Sequence, residues 1–135
     1  MKLTTALRSA MAQQIIAAMA NGSTDTPMIE IYDGTIPANM GEAITDTLLA
    51  ELALTNAAAT ETDGVITFET ISNDNSANNG GDQGWARVLD RDGAEVIYLT
   101  AGGPGDGAEL TLNTGTITQN GPVAITSGTI TIGGA

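Results

Sequence analysis

At 135 residues the chain has the length of one domain, and a domain of that size buries enough surface to hold a core without disulfides or metals. Sixteen acidic residues against four basic ones give a net charge of −12, which repels phosphate and argues against nucleic-acid or anionic-membrane partners. With neither cysteine nor histidine, thiolate nucleophiles, Cys/His zinc sites and every histidine-based triad are excluded.

Residues 4–22 read as an amphipathic helix. Leu7, Met11, Ile15 and Met19 recur every fourth residue, with Ala10 and Ala18 beside them. Thr4 or Thr5 can cap the start, and Asn21-Gly22 supplies a left-handed stop. Residues 1–22 either pack on their own domain or form an arm that docks on a neighbouring subunit. Leu7, Met11 and Ile15 are the interface candidates in the second case. The basic start and apolar run resemble a leader, but Gln13 and Gln14 interrupt the run, so a leader is not expected. No segment approaches the ~20 apolar residues of a membrane span.

From Met28 the period changes from four to two. Ile29 and Ile31 alternate with Glu30 and Tyr32 in a strand that ends at Asp33-Gly34, and Pro37 begins a loop. Residues 47–54 fit helix or strand, and their place between two strands favours a strand. An alanine-rich link then leads through the turn Asp63-Gly64 into a β-branched strand over 65–71. Residues 72–84 are small and polar with three glycines, a long loop expected to add nothing to the core.

Residues 85–89 and 94–100 form a hairpin about Asp90-Arg91-Asp92-Gly93, and a second glycine-rich loop covers 101–107. The tail offers strands at 109–113, 115–119, 122–126 and 129–132, with a turn at Asn120-Gly121. One helix and about seven or eight short strands predict a mainly β fold, α+β by content. The expected architecture is an N-terminal helix over 1–22 and an antiparallel β-sandwich or jelly-roll-like barrel over 23–135.

Apolar residues reach 41% but aromatics only 3%, so small aliphatic side chains must fill the interior, each burying little area. Stability then rests on many modest contacts or on a partner surface. Trp85, Arg87 and Leu89 share one face of their strand, with Ala86 and Val88 on the other. The Trp85 face is expected to be core, with the Arg87 head reaching an acid or stacking on the tryptophan. If it lies outside, Trp85 and Arg87 are natural interface anchors.

Asp90, Asp92 and Glu95 resemble a fragment of a calcium loop, but the full motif is longer and lies between helices. A hairpin turn closed by Gly93 is the preferred explanation. Asp74, Asn75, Asn78, Asn79 and Asp82 offer further oxygens on a loop that is more simply read as solvated. The glycines of 102–107 lack the following helix and lysine that a phosphate cradle uses. No carboxylate pair is marked out for glycoside hydrolysis, and no base accompanies the serines and threonines. A non-enzymatic protein without catalytic residues, cofactor or resident metal is expected.

The ordered segments IEIYDGTIPAN, LLAELAL, GVITFETISNDNSANNGG, GWARVLDRDGAEVI and LTLNTGTITQNGPVAITSGTITI carry a resemblance. Together with the N-terminal helix they resemble a group of small proteins encoded among the virion structural genes of tailed bacteriophages and prophages. The Gly84-Trp85-x-Arg87 strand with its D-x-D-G turn, and the ending from Leu112-Asn113-Thr114 to Val123-x-Ile125-Thr126-Ser127, are its most specific parts. The resemblance implies a virion component. Its partners would be the major capsid protein and other virion subunits, met as homo-oligomers or lattice copies, without nucleic acid or membrane. A capsid decoration (cement) protein is the first expectation, with loops 72–84 and 101–107 outermost. A tail or head–tail connector component is the alternative. The two glycine-rich loops leave a third, a cation- or carbohydrate-binding adhesin module.

Overall fold

The computed structural model describes all 135 residues. One helix, α1 (Thr5–Met19), precedes eight strands: β1 (Met28–Tyr32), β2 (Leu48–Ala53), β3 (Ala59–Thr62), β4 (Val65–Phe68), β5 (Trp85–Leu89), β6 (Glu95–Gly102), β7 (Leu110–Leu112) and β8 (Ile125–Thr131). They form one sheet in the order β2-β1-β5-β6-β7-β8-β4-β3. Every neighbouring pair is antiparallel except β6–β7, which is parallel over two residue pairs. The mainly β fold with an N-terminal helix is the one expected. Of the sandwich and the barrel, the sheet takes the barrel-like closure and stops half-way, curling into a half-barrel.

The core is a cluster of 22 buried residues to which both the strands and α1 contribute, and seven of these are alanines. Ile29 and Ile31 of β1, Ala86 and Val88 of β5, and Leu99 of β6 face it with Leu110, Leu112, Ile66 and Ile130. Each buried isoleucine or leucine contributes about 1.5–3 kcal/mol. Small alanines add little area but let neighbouring elements approach closely.

Thr4 caps α1, its Oγ1 accepting from the Leu7 amide at 3.2 Å. The helix rests on β3, β4 and β6. Ala12 and Met19 are fully buried, Ile15 and Ile16 pack against the cluster, and Arg8 Nη1 donates to the Asp63 carbonyl at 2.9 Å. The four-residue series therefore splits. Residues four apart on a helix drift by roughly 40° per step, which turns Leu7 and Met11 away from the face that buries Met19.

Two segments differ from expectation. The alanine-rich link contains β3, which pairs with β4 across Asp63-Gly64 at φ 54° and 82°, the backbone of a two-residue hairpin turn. In the tail, 115–119 and 122–126 do not form separate strands. Ile117 and Val123 instead make isolated bridges to Gly81 and Asp74, and β8 starts at Ile125.

Those bridges also correct the expectation for loop 72–84. It buries Ala77 and lies along the outer edge of β2, where the Asn79 side chain donates to the Leu48 carbonyl and Glu51 N–H donates to Asp74. An open sheet edge is thereby covered. In loop 101–107, residues 101–103 are buried and only 104–107 are exposed.

Candidate interface

β5 places Ala86 and Val88 toward the core and sends Trp85 and Arg87 to the opposite side of the sheet. Trp85 is nonetheless fully buried, outside the core cluster. Tyr32 stacks on it at 4.7 Å and 17°, and Tyr98 leans against it at 5.0 Å and 58°. Its roof is the segment between β1 and β2. Asp33 and Thr47 clasp the base of that segment, with Thr47 N–H donating to Asp33 Oδ1 at 2.7 Å. Asp46 Oδ2 accepts from the indole Nε1 at 2.9 Å. Gly84 meets the carbonyl of Gly34, where a Cβ has no room. Trp85 therefore anchors its own overlying loop. Trp85 is buried, as expected of a core residue, but it lies apart from the main core cluster, on a face covered by an irregular loop.

Arg87 lies beside this aromatic group as the centre of a closed network. Its Nε donates to Glu30 Oε2 at 2.8 Å, Nη1 to Glu95 Oε1 at 2.7 Å, and Nη2 to the Tyr32 hydroxyl at 3.2 Å. The head thus reaches acids, as one of the two expectations had it, and the ring it sits over is that of Tyr32, 5.7 Å from the centre, in place of Trp85. Tyr32 and Tyr98 in turn donate to Glu30 and Glu95.

The titrations follow from this geometry. Burial alone would lower the Arg87 pKa, but its bonds to Glu95 and Glu30 more than offset that and hold it above its ordinary value. Burial, then the bond to Glu30, pushes Tyr32 up to about 12. Burial and the bond to Glu95 raise Tyr98. Burial would raise Glu95, but Arg87 and Tyr98 hold it low.

The acidic turn has a separate task. Asp90 Oδ1 accepts from the amides of Asp92 and Ala94, each at 2.9 Å, and its Oδ2 from the Asn21 side chain at 3.2 Å. Asp92 Oδ1 accepts from the amides of Ser23 and Thr24 at 2.9 and 3.0 Å. The Arg91 guanidinium donates to the carbonyls of Asp25 and Gly22. The hairpin thus grips the linker between α1 and β1. Backbone donors hold both aspartates below the usual carboxylate range, the Ala94 amide foremost at Asp90 and the Ser23 amide at Asp92.

The structure does not bring the calcium candidates together. Glu95 bonds to Arg87 while Asp90 and Asp92 bond to backbone, and nowhere do three acidic side chains gather as a metal site would require. Asp74, Asn78, Asn79 and Asp82 are likewise engaged in tying loop 72–84 to its neighbours, and Asn75 is exposed.

The interface candidates on α1 divide. Ile15 packs inward, whereas Leu7 and Met11 are 47% and 42% exposed. The outer face they share with Ala6, Ala10, Gln14, Ala17 and Ala18 carries no charge, on a chain of net charge −12. A second exposed apolar pair, Ile36 and Met40, sits on the loop that roofs Trp85. Sequence reasoning missed this pair, although large apolar residues inside a Pro/Gly-containing loop are a readable signal. No family model, no curated protein and no solved structure matches this chain.

Proposed function

We propose that this chain is a non-enzymatic structural protein of a tailed-bacteriophage virion, a capsid decoration (cement) protein that binds across neighbouring major capsid subunits. One observation carries the proposal: a firmly packed helix turns an uncharged face with exposed Leu7 and Met11 to the outside. A solvated helix on so acidic a chain would ordinarily carry charge there. The segments that resemble virion proteins give the context. The ionisable side chains around Trp85 and the 90–95 turn are engaged in holding loops and linkers, which suits a passive role.

The contact would be modest. Fifteen helical residues span about 22 Å at ~1.5 Å each. One face of such a helix falls well short of the ~800 Å² per partner of a standard stable interface. Repetition over a symmetric lattice, with several contacts engaged at once, compensates for a weak single contact. The apolar area and hydrogen bonds so gained would oppose the outward pressure of packaged DNA.

The test is fractionation of purified virions into heads and tails, together with addition of the protein to capsids lacking it. Recovery in heads at a copy number comparable to the shell subunit, with added heat resistance, is expected. Recovery in tails alone would remove the cement function and leave a connector or tail component.

A further inference from the structure

We infer that residues 34–46, the loop over Trp85, form a lid that opens as a unit while the sheet beneath stays folded. The segment makes no backbone–backbone hydrogen bond, none of its residues is buried, and ten of the thirteen are exposed. Two hydrogen bonds tie it to the sheet, from the Gly41 amide to Glu95 Oε2 at 3.2 Å and from the Trp85 indole to Asp46 Oδ2 at 2.9 Å. It also packs loosely on itself. A hollow of 300 Å³ is lined by residues of the loop alone, Ile36, Pro37, Ile44 and Asp46 among them.

The base of the loop, by contrast, is fixed. Asp33 N–H donates to the Thr47 carbonyl at 3.2 Å, and Thr47 N–H donates back to Asp33 Oδ1 at 2.7 Å. Gly34, at φ 76°, follows this clasp at once and lies against Gly84. A segment of this length whose ends are held together is an Ω-loop, a frequent carrier of function on protein surfaces. Segments with few buried contacts and a solvent-facing backbone open at lower free energy than the core beneath them.

Opening uncovers a limited and specific surface. Tyr32 stacks on the indole and Tyr98 leans against it, and both belong to strands, so they stay in place when the loop leaves. Asp46 departs with the lid and frees the indole edge that carries the N–H. The released residues regain backbone freedom, which offsets part of the lost contact. The surface left behind gathers three of the chain's four aromatic rings, with Arg87 beside them. Tryptophan, tyrosine and arginine are the side chains that dominate binding energy at protein interfaces. The lid therefore controls whether the chain's richest contact surface is available, whatever the chain docks on.

The test is hydrogen exchange of the Trp85 indole proton in the 15N-labelled full chain, read against the amides of Ala86 and Leu99, which pair within the sheet. Each rate is normalised to that of the same group in an unstructured peptide. The indole proton is expected to show protection lower by about tenfold or more, at a rate that low urea leaves unchanged while the amide rates climb. Ile29→Val provides a second reading. Ile29 belongs to the core cluster, on the opposite face of β1 from Tyr32, so its truncation weakens the sheet and not the lid. It should lower amide protection about fivefold and leave the indole proton unaffected. Equal protection, a shared urea dependence or an equal response to Ile29→Val would mean that the loop leaves only when the sheet unfolds, and each would overturn the inference. An indole proton without protection would overturn it too, because the loop would then not close over Trp85 at all.

Discussion

The indole N–H of Trp85 and the carboxylate of Asp46 are hydrogen-bonded at 2.9 Å across 39 residues of sequence. This bond ties the roofing loop to the sheet. Asp46→Ala would leave a buried donor without a partner, at a cost of about 1–3 kcal/mol. Urea unfolding should show a lower midpoint, and tryptophan emission should shift to the red as water reaches the ring. An unchanged midpoint and emission would show that the loop stays closed without this bond.

Arg87 separates Glu30 from Glu95, and Glu30 also lies directly opposite Glu51 on β2. Arg87→Met removes the cation that lets these acids share one sheet face. The network is partly exposed, so the expected loss is about 1–3 kcal/mol, below that of a fully buried pair. Adding Glu30→Gln to Arg87→Met should recover part of it in a double-mutant cycle. No recovery would mean that Arg87 acts through packing alone.

Gly22 has φ of 102°, and a Cβ there would lie 2.6 Å from the Asp92 carboxyl carbon. That carboxylate is fixed by the Ser23 and Thr24 amides and has little freedom to move aside. Gly22→Ala should cost about 1–3 kcal/mol from backbone strain. It should also speed amide exchange at Ser23 and Thr24. Exchange at wild-type rates would argue against the clamp.

Stability should fall at both ends of the pH scale. Asp90, Asp92 and Glu95 are held low in the fold, so their contribution is present above ordinary carboxylate values, about 4. It is lost as pH falls through their folded values. Tyr32 is raised to about 12. Its contribution is therefore complete below about 10, the free tyrosine value, and is lost as pH rises toward the folded one. Denaturation midpoints measured in high salt, which screens the net negative charge, should give a plateau with two falling limbs. Tyr32→Phe should weaken the alkaline limb. A midpoint that rises on acidification below the plateau would contradict the assignment.

Met11→Asp and Ile15→Asp should behave differently although one helical turn separates them. Met11 is exposed, so its change should cost within about 0.5 kcal/mol and abolish capsid binding. Ile15 packs on the core, and an aspartate there buries an unpaired charge and should unfold the chain. Circular dichroism and capsid co-sedimentation separate the two effects. Capsid binding by a folded Met11→Asp protein would remove α1 from the interface.

Much of the fold could be read locally. Alternation in β1, the capped helix and the Asp-Gly turns are properties of a few adjacent residues, and each formed where expected. What could not be read depends on distant partners. β3 is hidden because alanine and threonine carry little strand signal, and it forms through its register with β4. The Trp85 side of β5 is buried by a loop some 40 residues earlier, which no strand pattern announces. The exposed helix stripe was visible as Leu7 and Met11, but its distinction from Ile15 needed the packed orientation of α1.

The parallel junction between β6 and β7 divides the sheet into two antiparallel quartets, joined there by only two residue pairs. So short a ladder is a natural line of sub-global opening, along which one quartet breathes against the other. α1 touches β6 on one side of that line and β3 and β4 on the other, so it acts as a brace across the seam. A neighbour resting on its outer face would splint the whole sheet, and binding at the surface would be felt as rigidity throughout the domain.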